Sequence, residues 1–334
     1  MTTLYSDCID RVAEQAPLGG LERWLADPRV NEVMVNGDGT VWIERNGHLE
    51  LVGRMRAGVV LGAIEHILTP IGRRLDRTHP TVDARLPDGS RVCAVAEPIA
   101  VDGPTLTIRR FPAEHIPITA FAPPAIIEVL RQVVNQRCNV VVSGGTSSGK
   151  TTLLNAMVAE IRDHARLITL EDVAELRLTH PHVVRLETRD ATPDGIGEVT
   201  LAHLVRTALR MRPDRLIVGE VRGSEAVHLL HALNTGHDGS LATVHANSAA
   251  HALHRLAALV VHEVNNWPMS AVHRHIEGAI DVVVHLERRP DGSRVVAEVA
   301  EVIESSPPSD ASGLSVRHIA INDRVVGSLQ RGRR

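Results

Sequence analysis

The chain has 334 residues, 43% of them apolar and 23% charged; this excludes wholesale disorder and describes a folded, water-soluble protein long enough for two domains. A net charge of −4 and an aromatic content of 2% argue against nucleic acid as a direct partner, since there is no basic field to displace counterions and there are few rings on which bases stack. No apolar run approaches the ~20 residues of a bilayer span, the N-terminus carries Asp7, Asp10 and Glu14 where a leader would be basic, and Cys8, Cys93 and Cys138 form no CxxC pair, so the expectation is a cytoplasmic, reducing compartment with no transmembrane segment.

Taken in chain order, VNEVMV (30–35) and VWIER (41–45) read as strands around the turn Asn36-Gly37-Asp38-Gly39. From Ala57 to Ile71 apolar residues recur at helical spacing. DARLPDGSRVCAVAEP then reads as two strands joined through Pro87-Asp88-Gly89-Ser90, and Thr105 to Phe111 as another. These elements make a small N-terminal α/β domain over residues 1–111, and Pro112, Pro117, Pro123 and Pro124 mark 112–124 as a stiff linker.

Beyond it, from 125 to 304, strands and helices alternate: NVVVSG, a helix from Gly149, RLITLE, a helix near 199–211, RLIVGE, a helix from 223, SLATVHA and a helix from 248. That alternation predicts a mostly parallel sheet covered by helices. A hairpin of DVVVHLERR and RVVAEVAEV turns at Asp291-Gly292, and residues 305–334, rich in Pro, Ser and Gly, read as a C-terminal tail in which only SVRHIAI fits a strand.

Of 36 basic residues, Lys150 is the single lysine. It ends the run Gly144-Gly145-Thr146-Ser147-Ser148-Gly149-Lys150-Thr151, which satisfies GxxxxGK[ST] between an apolar strand and a helical pattern opening TTLLNAMV. Such a loop wraps backbone N–H groups around phosphates, its lysine reaches the β and γ phosphates, and Thr151, with Thr152 beside it, lies where Mg²⁺ and the phosphate chain meet the helix N-terminus. The cofactors implied are ATP and Mg²⁺.

Two apolar strands end in acids. LITLED delivers Glu171 and Asp172; LIVGEVRGSE delivers Glu220, with Arg222 and Glu225 behind it. At the carboxyl ends of a parallel sheet these carboxylates face the ligand crevice, placed to hold Mg²⁺ through water and to orient an attacking water. The stretch TGHDGSLATVHANS adds His237 and His245, suited to sensing a γ phosphate or positioning water. Helical pairs His228/His231 and His251/His254 form no HExxH, which disfavours zinc.

The Walker loop, ITLED, LIVGEVRG and the histidine stretch, in that order, resemble the type II/IV secretion ATPase superfamily. DARLPDGSR, TIRRF, SGGTSSGKTTLLNA, VRLETR and ALRMRPDRLIVGEVRGSEA resemble more specifically its tight-adherence (Flp) pilus branch, a group of conjugal-transfer-associated ATPases; the likeness runs from about residue 30 to about 287. It implies a RecA-like core and a homo-hexameric ring that hydrolyses ATP beneath the inner membrane. Its partners would be platform proteins of a pilus or secretion apparatus. It also implies Lys150 and Thr151 as Walker A, Glu171 and Asp172 as the acidic box, Glu220 as Walker B, His237 and His245 as the histidine box, and Arg85, Arg91, Arg109 and Arg110 as arginines that approach the phosphates. Only about 30 residues precede the first strand, where many relatives carry a longer extension. A DNA-transfer motor, a nucleotide-binding switch or scaffold with little hydrolysis, and a small-molecule kinase are the competing readings.

Overall fold

Period-two apolar patterning builds the first of two units, Met1–Glu114 and His115–Arg334, in the computed structural model. The structure describes residues 16–45, 47–86, 88–110, 116–161, 164–189, 191, 195–264, 266–304 and 313–332. Asp7, Cys8, Asp10, Glu14, Pro87, Phe111, Pro112 and the first part of the expected tail, 305–312, lie outside the described residues.

In the first unit a short helix α1 (Glu22–Leu25) precedes β1 (Val30–Val35), β2 (Thr40–Arg45), β3 (His48–Arg54), α2 (Ala57–Leu68), β4 (Thr81–Arg85), β5 (Arg91–Val95) and β6 (Thr105–Arg109). The strands form one antiparallel sheet ordered β3-β2-β1-β6-β5-β4. Its inner face, Val33, Val35, Val41, Ile43, Val92, Ala94, Leu106 and Ile108, packs on Val60, Ile64, Ile67 and Leu68 of α2. The predicted β1–β2 turn closes on Gly39, whose φ of 82° and 2.2 Å approach of the Met55 carbonyl to a Cβ position admit no other residue. The edge strand β3 is an addition to the expected elements; its Leu49 and Leu51 face solvent, so its pattern does not read as half-buried.

The second unit contains α3 (Pro124–Asn135), β7 (Val140–Gly144), α4 (Lys150–Ala159), β8 (Leu167–Glu171), β9 (Val183–Glu187), α5 (Leu201–Ala208), β10 (Arg215–Val221), α6 (Glu225–Leu233), β11 (Leu241–His245), α7 (Ala249–Glu263), α8 (Met269–Ala279), β12 (Val282–Arg288), β13 (Arg294–Ile303), β14 (Ser315–Ile321) and β15 (Arg324–Val325). The nine strands run β15-β14-β13-β12-β7-β11-β10-β8-β9. From β12 to β9 all pairs are parallel, and β13, β14 and β15 are added antiparallel. Val140, Val142, Leu167, Ile217 and Leu241 pack on α3 and α4, while Val141, Ile168, Leu170, Leu216, Val218, Ala242 and Val244 pack on α5 to α8. Burial on both faces is why these strands read as continuous apolar runs, and the small N-terminal domain with a RecA-like, mostly parallel core is the expected fold class.

Two boundaries are corrected. The described part of the expected linker belongs to the second unit: Ile118 and Phe121 sit in its core, and Pro124 is the first residue of α3, where a missing N–H costs nothing. The expected tail is likewise built into the sheet. SVRHIAI is β14, and past β15 the chain returns so that Gln330 and Arg331 donate backbone N–H groups to Glu301, while the Arg331 guanidinium lies 3.0 Å from the fully buried Asp281.

Candidate active site

The glycine-rich run leaves the sheet at Gly144 and re-enters regular structure at Lys150. A Cβ at Gly144 would lie 2.4 Å from Ser148 Oγ and 2.8 Å from the Leu286 carbonyl, and Gly149 holds φ at 95°; both positions therefore exclude a side chain. Gly145 faces open space, Thr146 and Ser147 are exposed, and the Ser148 hydroxyl is buried without a protein partner. The loop is thus an open cradle with an orphaned hydroxyl, a shape and donor set that fit a phosphate chain. Lys150 Nζ donates to the Gly144 and Gly145 carbonyls at 3.1 Å each, which holds the ammonium over the cradle. Thr151 and Thr152 follow in the first turn of α4, where backbone N–H groups have no helical acceptor.

Strand register decides what stands beside the loop. His245, last residue of β11, pairs with Gly144. On the other side of β11 the pairing with β10 slips between Val218 and Val221, because Gly219 and Glu220 together oppose one residue, Thr243. This is a bulge, and Thr243 Oγ1 fastens it by donating to the Gly219 carbonyl at 2.6 Å. Val218 and Val221 both stay in the core beneath α5 to α8, so the extra residue turns Glu220 to the face that carries α4. Pairing of Val218 with Leu170 brings Gly219 beside Glu171, whose Cγ would be 3.0 Å from a Cβ there. The row Gly144, His245, Glu220, Glu171 therefore follows the carboxyl edge of the sheet. At about 4.8 Å per strand, Glu220 stands about 10 Å and Glu171 about 14 Å along that row from the loop strand.

The two glutamates live in different environments. Glu171 is only 2% exposed; its Oε1 accepts the N–H groups of Glu175 and Leu176 at 2.7 Å, and its Oε2 is buried without a partner. Burial raises its pKa to about 7, against the pull of those two N–H groups and of Arg185. The segment it organises reaches the loop helix, where Asn155 accepts the Arg177 N–H at 3.2 Å. Glu220 is half-buried and takes a hydrogen bond from Arg222 at 2.5 Å. The bond to Glu220 raises the pKa of that guanidinium, and the charges of Asp172 and Glu175 add to the effect. Glu225 turns back to accept the Arg222 and Gly223 N–H groups, at 2.5 and 2.8 Å, and so fastens the turn that leads into its own helix.

Not every expected residue arrives. His237 precedes β11, at the amino end of the sheet, where Asn139 accepts the N–H groups of Gly239 and Ser240; its Nδ1 hydrogen-bonds the Ala232 carbonyl at 3.0 Å. A strand of five residues, about 16 Å, separates it from the loop of its own chain, which corrects its place beside His245. Arg110 donates to the carbonyls of Asp27 and Val30, a bond that ties down its own unit. Arg85, Arg91 and Arg109 lie in one cross-strand row on the sheet face opposite α2, continued by Glu32. Like charges directly opposite are unfavourable in a sheet, and Glu32 stands opposite Arg109 at the end of the row. Sequence reading gave no role to Asn155 or Thr243, although both lie inside the loop and histidine stretches, nor to Arg294, whose stem covers Gly149; each acts across strands or helices.

A phosphate-type loop followed by a helix, with one strand interposed before the strand that delivers the acidic residue, defines the class: a P-loop nucleoside-triphosphatase fold of the RecA type. The type II/IV secretion system protein family matches residues 14–312, and the chain belongs to that family. The conjugal transfer protein TrbB of Rhizobium radiobacter is 39% identical over 81% of this chain and 83% of its own. The type IV secretion system protein PtlH of Bordetella pertussis is 35% identical over 81% of this chain and 89% of its own. Among solved structures, the pilus retraction motor PilT with bound ADP shares the fold at a TM-score of 0.63 and 19% identity, covering 87% of this chain and 84% of its own. The Legionella pneumophila ATPase DotB does so at 0.57 and 22%, covering 84% and 79%. Among the described residues no helix is long and apolar enough to cross a membrane.

Proposed function

We propose that this chain binds ATP with Mg²⁺ in the loop Gly144–Thr151 and hydrolyses it to drive a secretion, pilus or conjugation apparatus of the bacterial envelope. The observation that carries the reading is the register row that sets His245 and Glu220 beside the phosphate loop on the face of α4. Thr151 and Glu220, with Asp172 behind them, would hold the metal, partly through water; the metal neutralises charge on the phosphates when bound. Lys150 and the loop N–H groups bind the phosphate chain. Glu220, nearer the loop strand than Glu171 by one strand spacing, orients the attacking water, and the hydrogen bond from Arg222 fixes the direction of the Glu220 carboxylate. Glu171 spends one oxygen on the backbone of 175–176 and positions the acidic segment against α4. His245 adjoins the γ end.

The working form is a homo-hexamer on the cytoplasmic side of the inner membrane, held by platform proteins, with the tight-adherence branch as its narrower place in the family. A conjugation machine is the second reading, favoured by the similarity to TrbB; the net charge of −4 argues that such a machine would contact DNA through other subunits. Turnover of ATP measured against protein concentration, for the wild type, Lys150→Ala and Glu220→Gln, tests the proposal. Turnover per chain should rise with concentration and fall by at least about 10²-fold in both variants; wild-type rates in Glu220→Gln would overturn it.

A further inference from the structure

The flank of the phosphate loop opposite His245 is formed by β12, whose Leu286 pairs with Gly144. Two residues beyond that pair, Arg288 and Arg294 stand opposite one another in the β12–β13 ladder, level with the loop. Arg294 shares a face with Val296, which belongs to the core that holds Leu153 and Leu154 of α4. Its stem lies on the loop itself: a Cβ at Gly149 would meet Arg294 Cδ at 2.9 Å and its Cβ and Cγ at 3.8 Å. The hairpin that presents it is closed by Arg289 N–H to the Ser293 carbonyl at 2.8 Å and Gly292 N–H to the Arg289 carbonyl at 2.9 Å, and is anchored through Arg289 to Asp323 at 2.5 Å. The arginine is therefore held in place by a rigid turn.

A guanidinium at the start of α4 opposes the helix dipole and adds to the charge of Lys150 and Arg288. Such an accumulation is stabilised by a polyanion. Direction follows from the row described above: the carboxylates and His245, which serve the γ phosphate, lie on the β11 side of the loop, so the nucleoside end of the ligand extends toward β12. We propose that Arg294 is a nucleotide-binding residue that donates to the α and β phosphates from the β12–β13 hairpin of the same chain. The proposal rests on the nucleotide-site reading given above and adds a second, lysine-independent cation to it.

The test is equilibrium binding of ADP and of ATP, with Mg²⁺, to the full chain and to Arg294→Met, Arg294→Lys, Arg294→Ala and Lys150→Ala. Methionine keeps the stem on Gly149 and removes the charge. Arg294→Met should weaken ADP and ATP by the same factor, about tenfold for one charge-assisted hydrogen bond, and Arg294→Lys should recover part of the loss. Wild-type affinity in Arg294→Met, with loss only in Arg294→Ala, would show a packing role and overturn the proposal, as would a loss confined to ATP. Equal binding by wild type and Lys150→Ala is a separate outcome, which removes the nucleotide site and this inference with it.

Discussion

Replacing Glu171 by glutamine should change how stability depends on pH, in a direction the burial of that side chain dictates. The folded pKa, raised to about 7, exceeds the unfolded value of about 4.3 to 4.5. Between those values the folded state binds more protons than the unfolded one, so stability falls as pH rises. At 1.36 kcal/mol per unit the full effect is about 3.5 kcal/mol, and about 2.5 kcal/mol of it falls between pH 5 and pH 9, because part is already lost below pH 5. Glutamine imitates the neutral acid at every pH and still offers an oxygen to the Glu175 and Leu176 N–H groups. Denaturant unfolding followed through Trp267, with Trp24 and Trp42 replaced by phenylalanine, isolates the second unit. Relative to its parent, Glu171→Gln should gain about 2.5 kcal/mol between pH 5 and pH 9. A difference constant to within about 0.5 kcal/mol would mean that Glu171 is ionised or solvated throughout, and the account of it would fail.

Thr243→Val keeps the side-chain shape but removes the donor to the Gly219 carbonyl; a cost of about 1–2 kcal/mol in urea melts and a fall in turnover larger than any fall in ATP affinity are expected, and unchanged turnover would remove the bulge from the mechanism. Gly149→Ala meets both a φ of 95° and Arg294, so it should lower stability by more than about 1 kcal/mol, whereas Gly145→Ala, with open space at its Cβ, should be close to neutral in the same thermal unfolding assay. Deletion of residues 327–334 removes Arg331 from the buried Asp281 and from Cys138, whose thiol meets the Arg331 carbonyl at 3.5 Å. With Cys8 and Cys93 replaced by serine, the truncated chain should lose about 3 kcal/mol and label faster at Cys138 with a thiol reagent; equal labelling rates would show that the segment does not cover the thiol.

What was legible in the sequence was whatever is local or repeats. The phosphate loop reads directly because its glycines answer a backbone demand at Gly144 and Gly149, and the apolar strands of the core read because both faces are buried. The edge strand β3 did not, since its leucines face solvent. Residues 116–124 and 313–332 were misjudged by composition: proline at Pro124 begins a helix, and Ser315–Ile321 finds in β13 a partner that no local pattern announces. His237 failed for a geometric reason. A stretch that reads as one histidine box straddles β11, so its two histidines leave the strand at opposite ends of the sheet. Arg294 was invisible because its contact with Gly149 depends on the register of two strands across β12.

The bulge explains why two glutamates at strand ends need not compete for one role. Without it, strict alternation from Val218 would send Gly219 to the face of α4 and Glu220 to the core beneath α5 to α8, where an ionised carboxylate would cost several kcal/mol. One inserted residue places both on the face of α4, and the glycine leaves room for Glu171 to lie alongside. Glu171 is then drawn into the sheet and satisfied by backbone N–H groups, while Glu220 remains at the surface with Arg222. The buried acid is half-ionised near neutral pH and fixes a segment; the half-buried one keeps an exposed guanidinium beside it. Desolvation and register together are thus what support the proposed assignment of the water to Glu220 and not to Glu171.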